Sequence, residues 1–172
     1  AALANSSIYD YAPDLMAAVR ARGDEIVGHG RTNAERQGHL DEAAERALIG
    51  EATGRLSEAE GAKPEGWLGP WISHSHRTPD LLAEAGYRYL LDWCMDDQPI
   101  WFRCRGDRRI LAVPYPQEVN DIPQIAGRKI GGDAFAAPGE AEPFGGGRLD
   151  ADSIFAKTHD PGNGRAHGRP VR

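Results

Sequence analysis

The sequence contains only two cysteines among 172 residues, Cys94 and Cys104, and they do not form a Cys-x-x-Cys pair. A disulfide framework and a zinc knuckle both need more cysteines at closer spacing, so both are excluded. Two isolated thiols are typical of a protein in a reducing compartment. The cysteine content therefore favours a cytoplasmic location.

The sequence also lacks an excess of basic residues and any long apolar run. Its 20 Lys and Arg residues are outnumbered by 26 Asp and Glu residues, which gives a net charge of −6. Binding of nucleic acid requires a basic patch, so we expect no nucleic-acid partner. A transmembrane helix requires about 20 consecutive apolar residues, so we expect no membrane partner either.

The start of the sequence lacks both an initiator Met and a secretory signal. It reads AALANSSIYDYAPDL, without a basic n-region or a long apolar h-region. A signal peptide would show both features. We therefore expect the chain to begin inside a longer protein or to have been processed.

The last part of the chain differs in composition from the rest. From about Gly131 it reads GGDAFAAPGEAEPFGGGRLDADSIFAKTHDPGNGRAHGRPVR, rich in Gly, Pro and Arg, with single apolar residues of no period. Such a segment buries too little apolar surface to offset its ordering entropy. Residues 131–172 are therefore predicted to be an irregular or disordered tail, or the product of a shifted reading frame. Residues 1–130 are predicted to form one domain.

Helix and strand patterns alternate along residues 1–130. Apolar residues every four positions predict a helix over 41–60, and proline and glycine signals predict helices over 13–22 and 78–86, with Thr78 as the N-cap of the last. Short apolar stretches predict strands at 25–29, 65–69, 87–93 and 110–114. This alternation is typical of an α/β fold with a parallel sheet or barrel.

Polar and aromatic residues follow several of the predicted strands directly. The first strand ends at His29, between Gly28 and Gly30, where a turn alone would need no imidazole. Parallel α/β folds gather their chemistry at the carboxyl ends of the strands. We therefore expect a site at this edge of the sheet. Its candidates are His29, Trp71, Asp92, Trp93, Asp96, Asp97, Asn120 and Asp121.

Four stretches resemble the polysaccharide deacetylase (NodB-homology) family, in its branch of cytoplasmic-type deacetylases and allantoinase-like proteins. They are EIVGHGRTNAERQ, GWLGPW, TPDLLAEAGYRYLLDWCMDDQP and VPYPQEVNDIP, within residues 8–130. The resemblance implies a distorted (β/α) barrel that hydrolyses a carbon–nitrogen bond other than a peptide bond, typically an N-acetyl amide on a sugar. The family's aspartate pair would lie upstream of Ala1, so we expect a fragment with an incomplete barrel.

The metal site of that family is matched only in part. There, two histidines four residues apart hold a divalent metal such as zinc, and an open position takes a water that the ion acidifies. His29 falls on the first histidine, whereas Asn33, a poor zinc ligand, stands at the second. The resemblance thus implies a metal on His29, and Asn33 argues against it. The allantoinase-like branch is thought to act without a metal, so hydrolysis remains the expected reaction.

The same match suggests roles in the chemical step. His29 and Asp121 are predicted to be catalytic and to move protons, with the pKa of His29 set by neighbours such as Asp121. Asn33 is predicted to orient the substrate or to donate to a developing oxyanion. Arg31 either grips a carboxylate or ureide of the substrate or pairs with Glu35 one turn on.

The remaining candidates are predicted to contact a small-molecule or sugar substrate. Trp71 is a stacking platform for a sugar or planar ureide, or else a packing residue at the rim. Asp96 and Asp97 are substrate-binding carboxylates, or else part of a solvated loop. Asn120 is predicted to bind substrate beside Asp121.

Two functions stay open at this level. The first is a deacetylase-like hydrolase of an N-acetylated sugar or of a small amide or ureide. The second is a truncated, inactive remnant with at most weak carbohydrate binding, whose exposed strand edges would favour pairing with another copy. Hydrolysis of an amide, tested with and without a chelator, discriminates between them.

Overall fold

The computed structural model describes residues 1–116, 120, 122–129 and 131. They belong to a compact unit that spans Ala1–Ala136. The predicted tail beyond Gly131 lies outside the described residues, and so does Asp121.

Among the described residues, six strands form one mostly parallel sheet. In spatial order they are β1 (Ala2–Ala4), β2 (Ile26–Gly28), β3 (Gly66–Trp67), β4 (Tyr89–Leu90), β6 (Arg109–Ala112) and β5 (Ile100–Arg103). The first five strands in this order run parallel, whereas β5 runs antiparallel to β6. Over the described residues the sheet does not close. The predicted α/β class is confirmed, and the open sheet agrees with an incomplete barrel.

In the described part of the chain four α-helices accompany the sheet, and none of them is long and apolar enough to cross a membrane. They are α1 (Ile8–Tyr11), α2 (Pro13–Ala21), α3 (Glu42–Glu60) and α4 (Thr78–Glu84), with short 3-10 turns at Gln37–His39 and Pro70–Ile72 and a π-turn at Ile122–Gly127. Asp41 caps α3, because its carboxylate accepts the Ala44 amide at 2.8 Å. Gly61 ends this helix in the left-handed conformation, at φ 71°.

The main core lies between the sheet and the helices α3 and α4. Buried side chains from both helices meet Trp67, Leu90 and Ile110 of the sheet. Each large side chain buried there contributes roughly 1.5–3 kcal/mol of hydrophobic stabilisation. A smaller cluster joins Met16 of α2 and Leu56 of α3 to Ala4 of β1. Together the two clusters fix β2 and β3, whose carboxyl ends carry the site.

The structure corrects two local predictions and adds three short elements. The strand predicted over 87–93 is paired only at Tyr89–Leu90; further along, Trp93 packs on the rings of His74 and Phe102. Thr78 is not the N-cap of α4, since Arg77 occupies that position and the Thr78 hydroxyl donates to Glu45 instead. The elements β1, α1 and β5 were not predicted.

Candidate active site

A cavity of about 500 Å³ opens at the carboxyl ends of β2 and β3. Most of its wall is aliphatic or aromatic, with an imidazole, a phenol and two carboxamides among the lining side chains. The lining residues are Leu3, His29, Asn33, Leu68, Gly69, Trp71, Ile72, Tyr115, Asn120 and Ile122. Four of the predicted site residues, His29, Asn33, Trp71 and Asn120, therefore share one cavity.

His29 is held at this cavity through both its backbone and its ring. Its amide donates to the Ala4 carbonyl at 3.0 Å, and its own carbonyl accepts from the Asn5 side chain. Its Nδ1 lies 2.5 Å from the Leu68 carbonyl. Because a carbonyl can only accept, Nδ1 carries the proton and Nε2 keeps a lone pair.

The surroundings of His29 favour the neutral imidazole. Burial lowers the pKa of His29, and hydrogen bonds to the Leu68 carbonyl and to the Asn33 side chain oppose that shift in part. A neutral imidazole whose Nε2 keeps its lone pair can accept a proton from water. This is the state that a general base needs near pH 7.

The two glycines beside His29, Gly28 and Gly30, are required for different structural reasons. A Cβ on Gly28 would meet the Trp67 ring at 2.7 Å, so close packing of β2 on β3 requires glycine there. Gly30 adopts φ 69°, in the left-handed region that glycine enters without a steric penalty. The sequence Gly-His-Gly therefore lets the chain turn sharply while the imidazole stays at the strand end.

Part of the cavity wall is a strained turn after β3. Trp71 and Ile72 both adopt left-handed backbone conformations, at φ 63° and φ 51°. Such a conformation costs roughly 1–2 kcal/mol per non-glycine residue, and more for a β-branched one. The turn leaves the Trp71 side chain 58% exposed at the cavity, and its indole N–H donates to the Asn33 carbonyl at 2.6 Å. Strain of this kind is typical of functional sites.

The two carboxamides that line the cavity, those of Asn33 and Asn120, differ in how fully hydrogen bonds hold their side chains. Asn120 donates to the Tyr115 hydroxyl at 3.0 Å and accepts the Ile122 amide at 3.0 Å, so both ends of its side chain are engaged within the loop. Asn33 is exposed, and its side chain contacts His29. Asn33 is therefore the carboxamide better placed to turn towards a bound molecule.

Three predicted substrate-binding residues, Arg31, Asp96 and Asp97, lie away from the cavity lining. Arg31 forms ion pairs with Glu35 and Glu51, both at 2.5 Å, and this pairing raises its pKa. The pair with Glu35 is the alternative that the sequence offered to ligand binding. Asp96 and Asp97 lie on an exposed turn after β4, where the Asp96 carboxylate accepts the Asp97 amide at 2.8 Å. Their predicted contact with substrate stays a prediction.

A buried polar network behind the cavity could not be predicted from the sequence. Glu45 on α3 is fully buried at 0% exposure. Its carboxylate accepts from Gln37 at 2.9 Å, from Ser75 at 2.6 Å and from Thr78. Gln37 in turn accepts the Trp67 indole N–H at 3.0 Å. The network joins α3 to the turns that follow β2 and β3, the two turns that form the cavity.

Asp92, just after β4, is a second buried carboxylate behind the same turn. One of its oxygens accepts the Gly69 amide at 2.8 Å, and among the described residues the other oxygen has no hydrogen-bond partner. Burial raises the pKa of Asp92 to about 7, and the nearby Glu45 carboxylate adds to the shift. The sequence offered Asp92 only as one of several acidic loop residues.

A metal site around His29 is not completed by the described residues. Among them, no group of three or more His, Cys, Asp or Glu side chains is arranged to hold an ion. One ring nitrogen of His29 is already bonded to a carbonyl, and Asn33 offers only an amide. The donor set described here therefore does not fit the three-ligand zinc site that the resemblance implies.

Comparison with solved structures identifies the class of protein. The Puue allantoinase is 30% identical, with a TM-score of 0.60 over 69% of this chain and 39% of that protein. A Pseudomonas aeruginosa protein named as a polysaccharide deacetylase is 31% identical, with a TM-score of 0.60 over 68% of this chain and 39% of that one. A Mycobacterium smegmatis protein named in the same way is 26% identical, with a TM-score of 0.62 over 69% and 41%.

These matches define a polysaccharide deacetylase-like fold that is shared with an allantoinase. The resemblance to this family that the sequence motifs predicted is confirmed. It spans 39–41% of the length of these relatives. No protein-family model and no curated protein matches the chain.

Proposed function

We propose that this protein is a hydrolase of carbon–nitrogen bonds other than peptide bonds, acting on an N-acetylated sugar or on a small amide or ureide. The observation that carries the proposal is the presentation of His29. Burial lowers the pKa of its imidazole, Nδ1 is bonded to the Leu68 carbonyl, and the ring lines a cavity of the deacetylase-like fold.

The chemistry follows from the groups around that cavity. Water attacks the carbonyl carbon of the amide, and His29 Nε2 accepts the water proton. The Asn33 side-chain amide donates to the oxyanion that develops on the carbonyl oxygen. The carbon–nitrogen bond then breaks, and the proton held by His29 passes to the departing nitrogen. Asp121 shares the proton work in this proposal.

The cavity suits a flat polar substrate. Trp71 offers an exposed indole for stacking on a sugar ring or a planar ureide. The phenol of Tyr115 and the Asn33 carboxamide supply hydrogen-bonding groups on other parts of the wall. Such a mixture of apolar walls and few polar groups is typical of small-molecule sites. A cytoplasmic location, the absence of a nucleic-acid partner and assembly into homo-oligomers stay predictions.

The first test is hydrolysis of a substrate panel, with and without a chelator. The panel contains N-acetylglucosamine oligomers, cyclic ureides and simple acetamides, and release of acetate, amine or ring-opened product is measured. We expect turnover of one of these classes, and the same rate after treatment with EDTA, because Asn33, a poor zinc ligand, stands where the second metal-binding histidine would lie.

The outcomes of this panel separate the competing interpretations. A rate that EDTA abolishes and zinc restores would mean that ligands outside the described residues complete a metal site. A protein that is folded by circular dichroism and turns over no member of the panel would favour the inactive remnant.

A further inference from the structure

The turn formed by residues 69–73, here called the 69–73 turn, holds an unfavourable backbone conformation beside the cavity. Two consecutive non-glycine residues in it, Trp71 and Ile72, have positive φ angles. Within the turn, the Ile72 amide donates to the Gly69 carbonyl at 2.9 Å and the Ser73 amide to the Pro70 carbonyl at 3.1 Å. A conformation of this kind persists only where the surroundings over-determine it.

Contacts from outside the turn supply that constraint at three points. The Ser73 hydroxyl accepts the Gly38 amide at 3.0 Å, and the Trp71 indole donates to the Asn33 carbonyl at 2.6 Å. At the first residue, the Gly69 amide donates to Asp92 Oδ1 at 2.8 Å. The Asp92 contact differs from the other two because it comes from a buried side chain.

Burying the carboxyl group of Asp92 costs free energy that its single hydrogen bond to the Gly69 amide does not fully offset. The residue is only 4% exposed, and within the described part of the chain its Oδ2 atom has no partner. A buried carboxyl group with one unsatisfied oxygen opposes folding, so a residue retained in this state calls for an explanation. The Gly69 contact, directly before the strained residues, supplies one.

We propose that Asp92 is a positioning residue that locks the 69–73 turn and thereby sets the place of Trp71 as the specificity wall of the cavity. The inference rests on the proposed function, since it assumes that the Trp71 indole stacks on the flat face of the sugar or ureide substrate. Asp92 acts through Gly69 and does not itself touch the substrate.

The raised pKa of Asp92 agrees with this role. With a pKa of about 7 the side chain is largely neutral in mildly acidic solution. Its Oδ1 atom can accept the Gly69 amide in either protonation state, so the contact survives when burial keeps the group uncharged. The role of Asp92 therefore depends on an acceptor atom rather than on a negative charge.

The experiment compares Asp92→Ala with Asp92→Asn, because Asn retains an acceptor oxygen and loses the charge. The readout is the indole N–H resonance of Trp71 in a nitrogen–proton spectrum, assigned with Trp71→Phe. We expect Asp92→Ala to shift or broaden this resonance, since the bond to the Asn33 carbonyl is loosened. The Trp101 indole in β5 serves as the reference and should not move.

The kinetic readout uses the substrate found with the panel. Asp92→Ala is expected to raise KM about tenfold with a smaller change in kcat, because the lost interaction positions substrate. Asp92→Asn is expected to restore both the Trp71 resonance and KM. Asp14→Ala, which removes an exposed carboxylate from the first turn of α2, is the control and should match the wild type.

A second variant covers the case in which Asp92→Ala does not fold. Asp92→Ser leaves a hydroxyl that is one bond shorter than the carboxyl and is expected to lose the Gly69 contact with less disturbance. In the wild type, the Gly69 amide is expected to exchange slowly with deuterium, as a buried bonded amide does. Fast exchange of this amide would overturn the proposal without any substitution.

The outcomes distinguish this inference from the proposed function. An unchanged Trp71 resonance in folded Asp92→Ala would overturn the positioning role even if the protein hydrolyses amides. Failure of Asp92→Asn to restore the resonance would overturn it as well. A shifted resonance in a protein that hydrolyses no member of the panel would leave the lock on the turn in place and refute the proposed hydrolysis.

Discussion

Replacing His29 by Gln is expected to lower kcat/KM by about 10²–10⁴-fold, the usual contribution of a positioned general base. A glutamine amide can still donate to the Leu68 carbonyl, which His29 contacts at 2.5 Å. It offers no basic nitrogen at the place of Nε2. The variant should therefore keep its fold and lose proton transfer, as measured with the panel substrate and by thermal unfolding.

The matched control for this variant is His39→Gln. His39 is exposed on the 3-10 turn that precedes α3, and it does not line the cavity. The control should retain wild-type kinetics. Equal activity of His29→Gln and His39→Gln, in two folded proteins, would remove His29 from the chemistry.

Replacing Glu45 by Ala is expected to destabilise the protein by about 3–5 kcal/mol, because three hydrogen-bond donors lose their acceptor and each costs about 1–3 kcal/mol when it is left buried and unsatisfied. The change leaves the donors of Gln37, Ser75 and Thr78 without their common acceptor. It also opens a void beside α3. The free energy of unfolding in urea is the measurement.

Two companion variants show whether the network itself is responsible. Glu58→Ala, on the same helix, removes an exposed carboxylate whose nearest cation is Arg55 at 3.7 Å, and should change stability by less than about 0.5 kcal/mol. Glu45→Gln keeps one acceptor oxygen and should fall between the two. A loss in Glu45→Ala no larger than that in Glu58→Ala would contradict the role given to the network.

The parts of the fold that the sequence predicted are those with a strong local signal. The helix over 41–60 has apolar residues every four positions, an aspartate cap and a terminal glycine, and α3 follows that pattern closely. The helix over 13–22 begins at a proline and is likewise present as α2. Local chemistry alone determines such elements.

The parts that were missed depend on contacts between distant residues. The strand β1 is only Ala2–Ala4 and pairs with β2, more than 20 residues away. The antiparallel strand β5 pairs with β6 across a short turn and interrupts the β/α alternation. Tertiary pairing decides short strands of this kind, and a periodicity argument cannot detect them.

The candidate site divides in the same way. His29 could be found because a histidine between two glycines at a strand end has no need of that side chain for the turn itself. The left-handed backbone of Trp71 and Ile72 has no such signal, since neither residue favours positive φ. The sequence also carries no signal that Asp92 is buried, because the nearby Asp96 and Asp97 are of the same residue type and are exposed.

The most direct test of the central claim compares the titration of His29 with the pH dependence of hydrolysis. Burial lowers the pKa of His29, so the base is deprotonated at neutral pH, and activity should fall as the solution is acidified through that lowered pKa. The imidazole is titrated by nitrogen–proton NMR, with His29→Gln to assign the signal. kcat/KM is measured over the same pH range.

The account predicts that both curves have the same midpoint, below the ordinary pKa of histidine, with the proton of the neutral ring on Nδ1. A rate that does not follow the protonation of His29 would contradict it. So would a neutral ring that carries its proton on Nε2, because that nitrogen could not then accept a proton from water.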